Sequence, residues 1–226
     1  MQKPTGKPVL VWDLPTRLFH WLLVLLLVLS FVTGKLGGSW LKWHFWSGYS
    51  VLALLLFRIG WGLVGSTTAR FSHFVKGPAA GLVYLRGLFR PVTAVEVGHN
   101  PVGGWMVIVL IIAVLAQATT GLFTSDDIDT FGPLAEKVSS ALSSKLSSFH
   151  RLWINVILVL AGLHVCASLF YYVVKRQNLV LPMITGRKHL PDGQMASQII
   201  IASSGLAVVI LAIAAAIVFG VLRFFG

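Results

Sequence analysis

The sequence predicts an all-α integral membrane protein, a bundle of four membrane-spanning helices followed by a fifth at the C-terminal end. Three observations predict it. The 226 residues are 56% hydrophobic and only 11% charged, with a mean hydropathy of +0.84. A water-soluble domain of this length needs far more surface charge. Five apolar stretches reach the roughly 20 residues that cross a hydrocarbon core of about 30 Å. The basic residues also segregate between alternate loops.

The spans lie at 18–36, 43–64, 102–123, 149–174 and 198–222. Helix satisfies each backbone internally, which lipid demands. The first apolar run continues to full span length, so it reads as a retained helix and not as a removed signal. Glycines and prolines in "GKLGGSW" and "KRQNLVLPMITGRKHLPDGQ" mark the stops after the first and fourth spans. Trp12, Trp40, Trp43, Trp61 and Trp105 sit near span ends, as interfacial aromatics do. The single cysteine, Cys166, lies in a span, so no intramolecular disulfide forms.

With five alternating spans, Lys3, Lys7, Arg17, Arg70, Lys76, Arg86, Arg90, Lys175, Arg176, Arg187 and Lys188 share one side. Lys35, Lys42, Lys137, Lys145 and Arg223 share the other with Asp126, Asp127, Asp129 and Glu136. The positive-inside rule places the N-terminus in the cytoplasm and the C-terminus outside. Topology and anionic lipid thus explain the net charge of +11, and nucleic acid is not an expected partner. Two amphipathic segments read as surface helices that seat in the membrane. Leu134, Val138, Leu142 and Leu146 form the outer one, with serines opposite, and Leu82, Leu85 and Phe89 form a weaker inner one.

Of seven histidines, His73, His99 and His189 fall in loops and read as solvated. His20, His44, His150 and His164 fall in or at the ends of spans, where ionisable side chains point to function. His150 and His164 are fourteen residues apart, close to four helical turns, with about 21 Å of rise on one face. Span direction then sorts the four into two levels. His20 and His164 lie at the inner level, His44 and His150 at the outer one. A zinc site wants four ligands, or three and water, and each level offers two. Haem iron already has four ring nitrogens and needs two axial ligands. The count fits two bis-histidine haems, one at each level.

Arg17 and Arg58 are candidates for the propionates of the inner haem, and Arg151 and Lys42 for those of the outer one. Each reads equally as a snorkelling anchor. Gly34, Gly48, Gly121 and Gly162 leave room either for a macrocycle or for close helix approach. Gln117 and Asn155 are polar and midspan, and are assigned to interhelical hydrogen bonds.

"VWDLPTRLFHW", "WHFWSGYSVLALLLFRIGWGLVG", "GHNPVGGWMV" and the His150–His164 pair resemble the bacterial cytochrome b561 family over roughly residues 8–190. That family is related to the b-type cytochrome subunits of nickel–iron hydrogenases. The resemblance implies a di-haem four-helix domain over 8–190 and electron exchange with membrane quinone. It also implies His20, His44, His150 and His164 as ligands, the four that the levels select. Residues 191–226 form an additional helix, expected to anchor in lipid or to bind a partner.

The function expected is a di-haem inner-membrane cytochrome carrying electrons between the quinone pool and a periplasmic c-type cytochrome or redox enzyme. The acidic "SDDID" would attract a basic partner. One alternative is a superoxide:ubiquinone oxidoreductase, favoured by Lys35, Lys42 and Arg151 as a funnel for a small anion. Another is a haem-free transporter or assembly factor, which lacks the broken helices and repeats of transporters. Whether the chain is itself an enzyme or an electron-transfer subunit stays open at this level.

Overall fold

The computed structural model describes residues 7–89, 96–125, 130–190 and 199–225. The elements are β1 (Lys7–Leu10), α1 (Leu14–Leu36), α2 (Leu41–Val64), α3 (Phe71–Phe74), α4 (Pro78–Arg86), α5 (Pro101–Gly121), α6 (Ser140–Val173), α7 (Val180–Thr185), β2 (Arg187–Leu190) and α8 (Ser204–Phe225). Five of the helices are long and apolar enough to cross a membrane. Leu25, Val28, Ile112, Leu152, Val159 and Val208 are each more than half exposed. Apolar side chains along these helices need lipid around them, because water would penalise so large an apolar surface.

Local chemistry sets the helix ends. Asp13 caps α1 by accepting the Thr16 N–H at 2.7 Å. Gly37 and Gly38, with φ of 64° and 53°, stop it. Asn100 caps α5, its Oδ1 accepting Gly103 N–H at 2.7 Å, and Pro101 occupies the first helical position. Gly186 closes α7 at φ 81°, where a Cβ would lie 2.7 Å from the Trp12 carbonyl oxygen.

The chain divides into two compact units. The first comprises residues 1–18, 59–109 and 161–207. Its ribbon pairs β1 antiparallel to β2, Lys7 with Leu190 through Leu10 with Arg187. Val11 and Trp12 continue it by donating to the Gly186 carbonyl. Asp13 is 2% exposed and uses its second oxygen to accept the Trp61 indole N–H at 3.0 Å. Tyr171 on α6 accepts from Asn100 Nδ2 at 3.1 Å and shares a short hydrogen bond with Tyr84 on α4. Burial, then the Tyr171 bond, push the Tyr84 phenol well above its ordinary range.

The second unit comprises residues 19–58, 110–160 and 208–226. Its core is the four-helix bundle. Val51 and Leu55 of α2, Ala113 and Val114 of α5 and Ile157 of α6 are buried together, with Leu23, Leu26 and Leu27 of α1 packed against them. The end of α8 joins through Val218, Val221 and Leu222, against Leu52, Leu122 and Leu134.

Several expectations are corrected. The outer surface helix does not form as a separate element. Residues 135–137 make a single 3-10 turn and Val138 is extended. From Ser140 one continuous helix of 34 residues runs to Val173, about 50 Å at 1.5 Å per residue. Two of its serines turn inward: Ser143 and Ser147 are 4% and 2% exposed, while Leu142 is 44% exposed. Ser143 donates to the Phe123 carbonyl at 2.8 Å, and Ser147 accepts the Ser125 N–H at 2.9 Å. Hydroxyl-to-backbone bonds with the chain leaving α5 therefore outweigh the leucine periodicity. α4 does keep Leu82 and Leu85 about half exposed, as a membrane-seated helix should. His99 is packed, not solvated, with rings at 4.8 Å from Trp12 and 4.6 Å from Phe74. Asn155 donates to Leu152 of its own helix at 3.1 Å instead of bridging helices. The acids Asp126, Asp127 and Asp129, with Lys3 and Arg90, lie outside the described residues.

Candidate functional site

The bundle of the second unit forms an open-sided cavity of about 580 Å³, within the range of cofactor pockets. His44 enters it from the first turn of α2 and His150 from α6. Their ring centroids are 6.1 Å apart and their planes meet at 88°. A metal–imidazole nitrogen bond is about 2 Å, and a ring nitrogen lies about 1 Å from its ring centre. One ion between two such rings therefore needs centroids about 6 Å apart, which is the observed spacing.

The other ring nitrogens are taken. His44 Nδ1 donates to the Ser30 carbonyl at 2.8 Å, and His150 Nδ1 donates to the Gln117 carbonyl at 2.9 Å. A carbonyl can only accept, so each ring carries its proton on Nδ1 and offers a lone pair on Nε2. This outer-shell bond is what orients metal-binding histidines and raises their basicity. Gln117 also donates its Nε2 to the His150 carbonyl at 3.0 Å, so its interhelical role holds. Two glycines give the rings room. A Cβ at Gly34 would lie 2.9 Å from His44 Nδ1, and one at Gly121 would lie 2.9 Å from His150 Cε1. These glycines seat imidazoles, whereas Gly48 lines the cavity with nothing within 4 Å of its would-be Cβ. Gly162 also faces open space but does not line this cavity.

Leu27, Val51, Val114 and Ile157 supply apolar walls, and Lys35 and Arg151 are the cations lining the cavity. Arg151 reaches Ser148 Oγ at 3.3 Å. Lys42, the sequence's other candidate here, does not line it. An apolar slot with two opposed imidazoles and two cations suits a flat apolar macrocycle bearing anionic substituents. Among the described residues no three His, Cys, Asp or Glu side chains converge, so the donor set suits an ion that lacks two ligands and not a bare zinc.

His20 lies on α1 with its ring at 4.9 Å from that of Trp21. His164 is exposed on α6. Arg58 is 2% exposed, its guanidinium 6.0 Å from the Phe19 ring centre. Arg17 donates to the Ile184 carbonyl at 2.6 Å and so ties α1 to α7. Sequence reading missed Ser30, Thr33 and Thr120. The first contributes a backbone atom, which no side-chain pattern reveals.

Comparison with known proteins completes the picture. The family model described as prokaryotic cytochrome b561 matches residues 11–186. A probable superoxide oxidase CybB of Yersinia pestis is 26% identical over 185 residues, covering 75% of this chain and 93% of that one. Probable Ni/Fe-hydrogenase B-type cytochrome subunits are each 24% identical, covering 81% of this chain and 90% of theirs. One is from Azotobacter chroococcum mcd 1 and the other from Rhizobium leguminosarum bv. viciae. No solved structure matches. The chain belongs to the prokaryotic cytochrome b561 family, and is a multi-pass, b-haem-binding membrane protein of electron transfer.

Proposed function

We propose that this chain is a di-haem cytochrome of the bacterial inner membrane that carries electrons between the quinone pool and a periplasmic redox partner. The partner is a c-type cytochrome or a redox enzyme. The observation that carries the reading is the His44–His150 pair, 6.1 Å apart with both Nδ1 atoms engaged. His44 and His150 are the axial ligands of the outer haem, and His20 and His164, by span direction and the spacing along α6, those of the inner one. Haem held this way supplies one-electron chemistry, and two protein ligands leave its iron no open position for oxygen. Lys35 and Arg151 would neutralise propionates at the outer level, and Arg58 would do so at the inner one. Residues 8–190 form the haem domain, with the N-terminus cytoplasmic and α8 as an added helix. Two similar proteins named as hydrogenase cytochrome subunits support a redox-enzyme partner.

The test is haem content and spectrum. Extraction should yield two non-covalent b haems per polypeptide with six-coordinate low-spin bands. One haem, or none, overturns the two-level assignment.

A second reading is favoured by the Yersinia pestis relative and by the cations Lys35 and Arg151 lining the cavity. Here two superoxide anions each give up one electron, becoming oxygen, and one ubiquinone takes up both electrons with two protons. Stopped-flow mixing with superoxide distinguishes the two. Haem reduction within milliseconds supports the oxidase, and its failure leaves the electron-carrier reading.

A further inference from the structure

The C-terminal turns of α1 and α5 carry the same short arrangement. Residues 30–34 read "SFVTG" and residues 117–121 read "QATTG". In each, the carbonyl of the first residue accepts a histidine Nδ1 from another helix. In each, the threonine three residues on bonds back along its own helix. Thr33 Oγ1 donates to Leu29 O at 2.6 Å and reaches Ser30 O at 3.3 Å. Thr120 Oγ1 donates to Ala116 O at 2.8 Å and reaches Gln117 O at 3.0 Å. In each, the glycine four residues on stands where a Cβ would strike the imidazole, at 2.9 Å in both cases.

These parts work together. A threonine hydroxyl bonded to the preceding turn bends a helix locally and tilts its carbonyls off the axis. The residue four positions on is the one whose N–H bonds to the exposed carbonyl, and a side chain there would shield it. Glycine leaves that approach open. The carbonyl has two lone pairs, which the helix N–H and the imidazole share with the more distant threonine hydroxyl. Because two helices present the same seat, the two rings are fixed independently, and they stand at 88° to each other.

We propose that Thr33–Gly34 and Thr120–Gly121 are two copies of one positioning device, each aiming the Nδ1–H of one axial imidazole at a backbone carbonyl and together holding the two rings perpendicular. The proposal rests on the assignment of His44 and His150 as axial ligands of one haem. Gly34 and Gly121 stand against the rings and line the cavity, Thr120 Oγ1 lies 3.5 Å from His150 Nδ1 and Thr33 acts through the Ser30 carbonyl, so all four are positioning residues.

Perpendicular axial planes leave two iron d orbitals nearly equal in energy. The ferric low-spin electron paramagnetic resonance signal is then dominated by one line at unusually low field. Rotating the rings toward parallel splits those orbitals and moves that line to higher field. The experiment compares full-length protein with Gly34→Ala, Gly121→Ala, Thr33→Val and Thr120→Val, with circular dichroism as the check on folding. The glycine variants should shift the low-field line or lose the outer haem while keeping helix content. The threonine variants should shift the line with haem retained. If a glycine variant fails to accumulate, the threonine variants carry the test. Unchanged lines and midpoint potentials in the variants that fold overturn the device. His44→Ala and His150→Ala separate the two failures. If they too leave the outer haem in place, the ligand assignment falls. If they remove it while the seat variants change nothing, only the positioning proposal falls.

Discussion

Replacing Asp13 with alanine should loosen the N-terminal end of α1 by a calculable amount. The carboxylate is 2% exposed and uses both oxygens, one for the Thr16 N–H and one for the indole of Trp61, which is 0% exposed. Losing the N-cap costs about 1 kcal/mol. Taking the charged partner from a buried indole N–H costs about 1–3 kcal/mol more. The sum is roughly 2–4 kcal/mol, with each kcal/mol worth about 2–4 °C in a chain of this length. Asp13→Asn keeps an acceptor for one donor and should lose less. Trp61→Phe removes the indole donor, so Asp13→Ala added to it should cost about 1–2 kcal/mol less than the separate losses predict. The assay is thermal unfolding in detergent, followed by circular dichroism. A midpoint for Asp13→Ala within about 1 °C of the parent, or full additivity with Trp61→Phe, would refute the reasoning.

Three further outcomes are expected. His44→Ala and His150→Ala should each lower extracted haem from two to one per polypeptide, with the inner haem's spectrum preserved. Arg58→Met should make the inner midpoint potential more negative, since removing a buried cation beside an electron acceptor disfavours the reduced form; a redox titration with an unmoved or more positive value contradicts this placement. Ser147→Ala removes the hydroxyl that accepts from Ser125 N–H and donates to backbone carbonyls, and should cost about 1–3 kcal/mol. Faster amide exchange at Ser125 in that variant is the confirming measurement.

The candidate site was legible in the sequence as depth. A helix converts residue number into height, so direction of travel alone brought His44 to the level of His150. Distances along the chain could not show what holds those rings, because the acceptors at Ser30 and Gln117 are main-chain carbonyls. The glycines were visible, but their neighbours were not: Gly34 and Gly121 meet histidine rings. Leucine spacing over residues 134–146 misled because serine hydroxyls found carbonyl and N–H partners some twenty residues away. Arg17 shows the same limit. Its position one turn before His20 suggested a propionate, and it is the Ile184 carbonyl that it bonds. The β1–β2 ribbon joins residues 7–10 to 187–190, a pairing too remote in sequence for either short strand to announce.

The length of α6 has a mechanical consequence. His150 sits ten residues inside that helix, which serines fasten to the chain just beyond α5. His44 sits in the opening turn of α2, directly after a 3-10 turn at Gly38–Trp40. The two rings that face each other thus have unequal footing: a change at the start of α2 reaches His44 within one turn, whereas one at the start of α6 lies ten residues from His150.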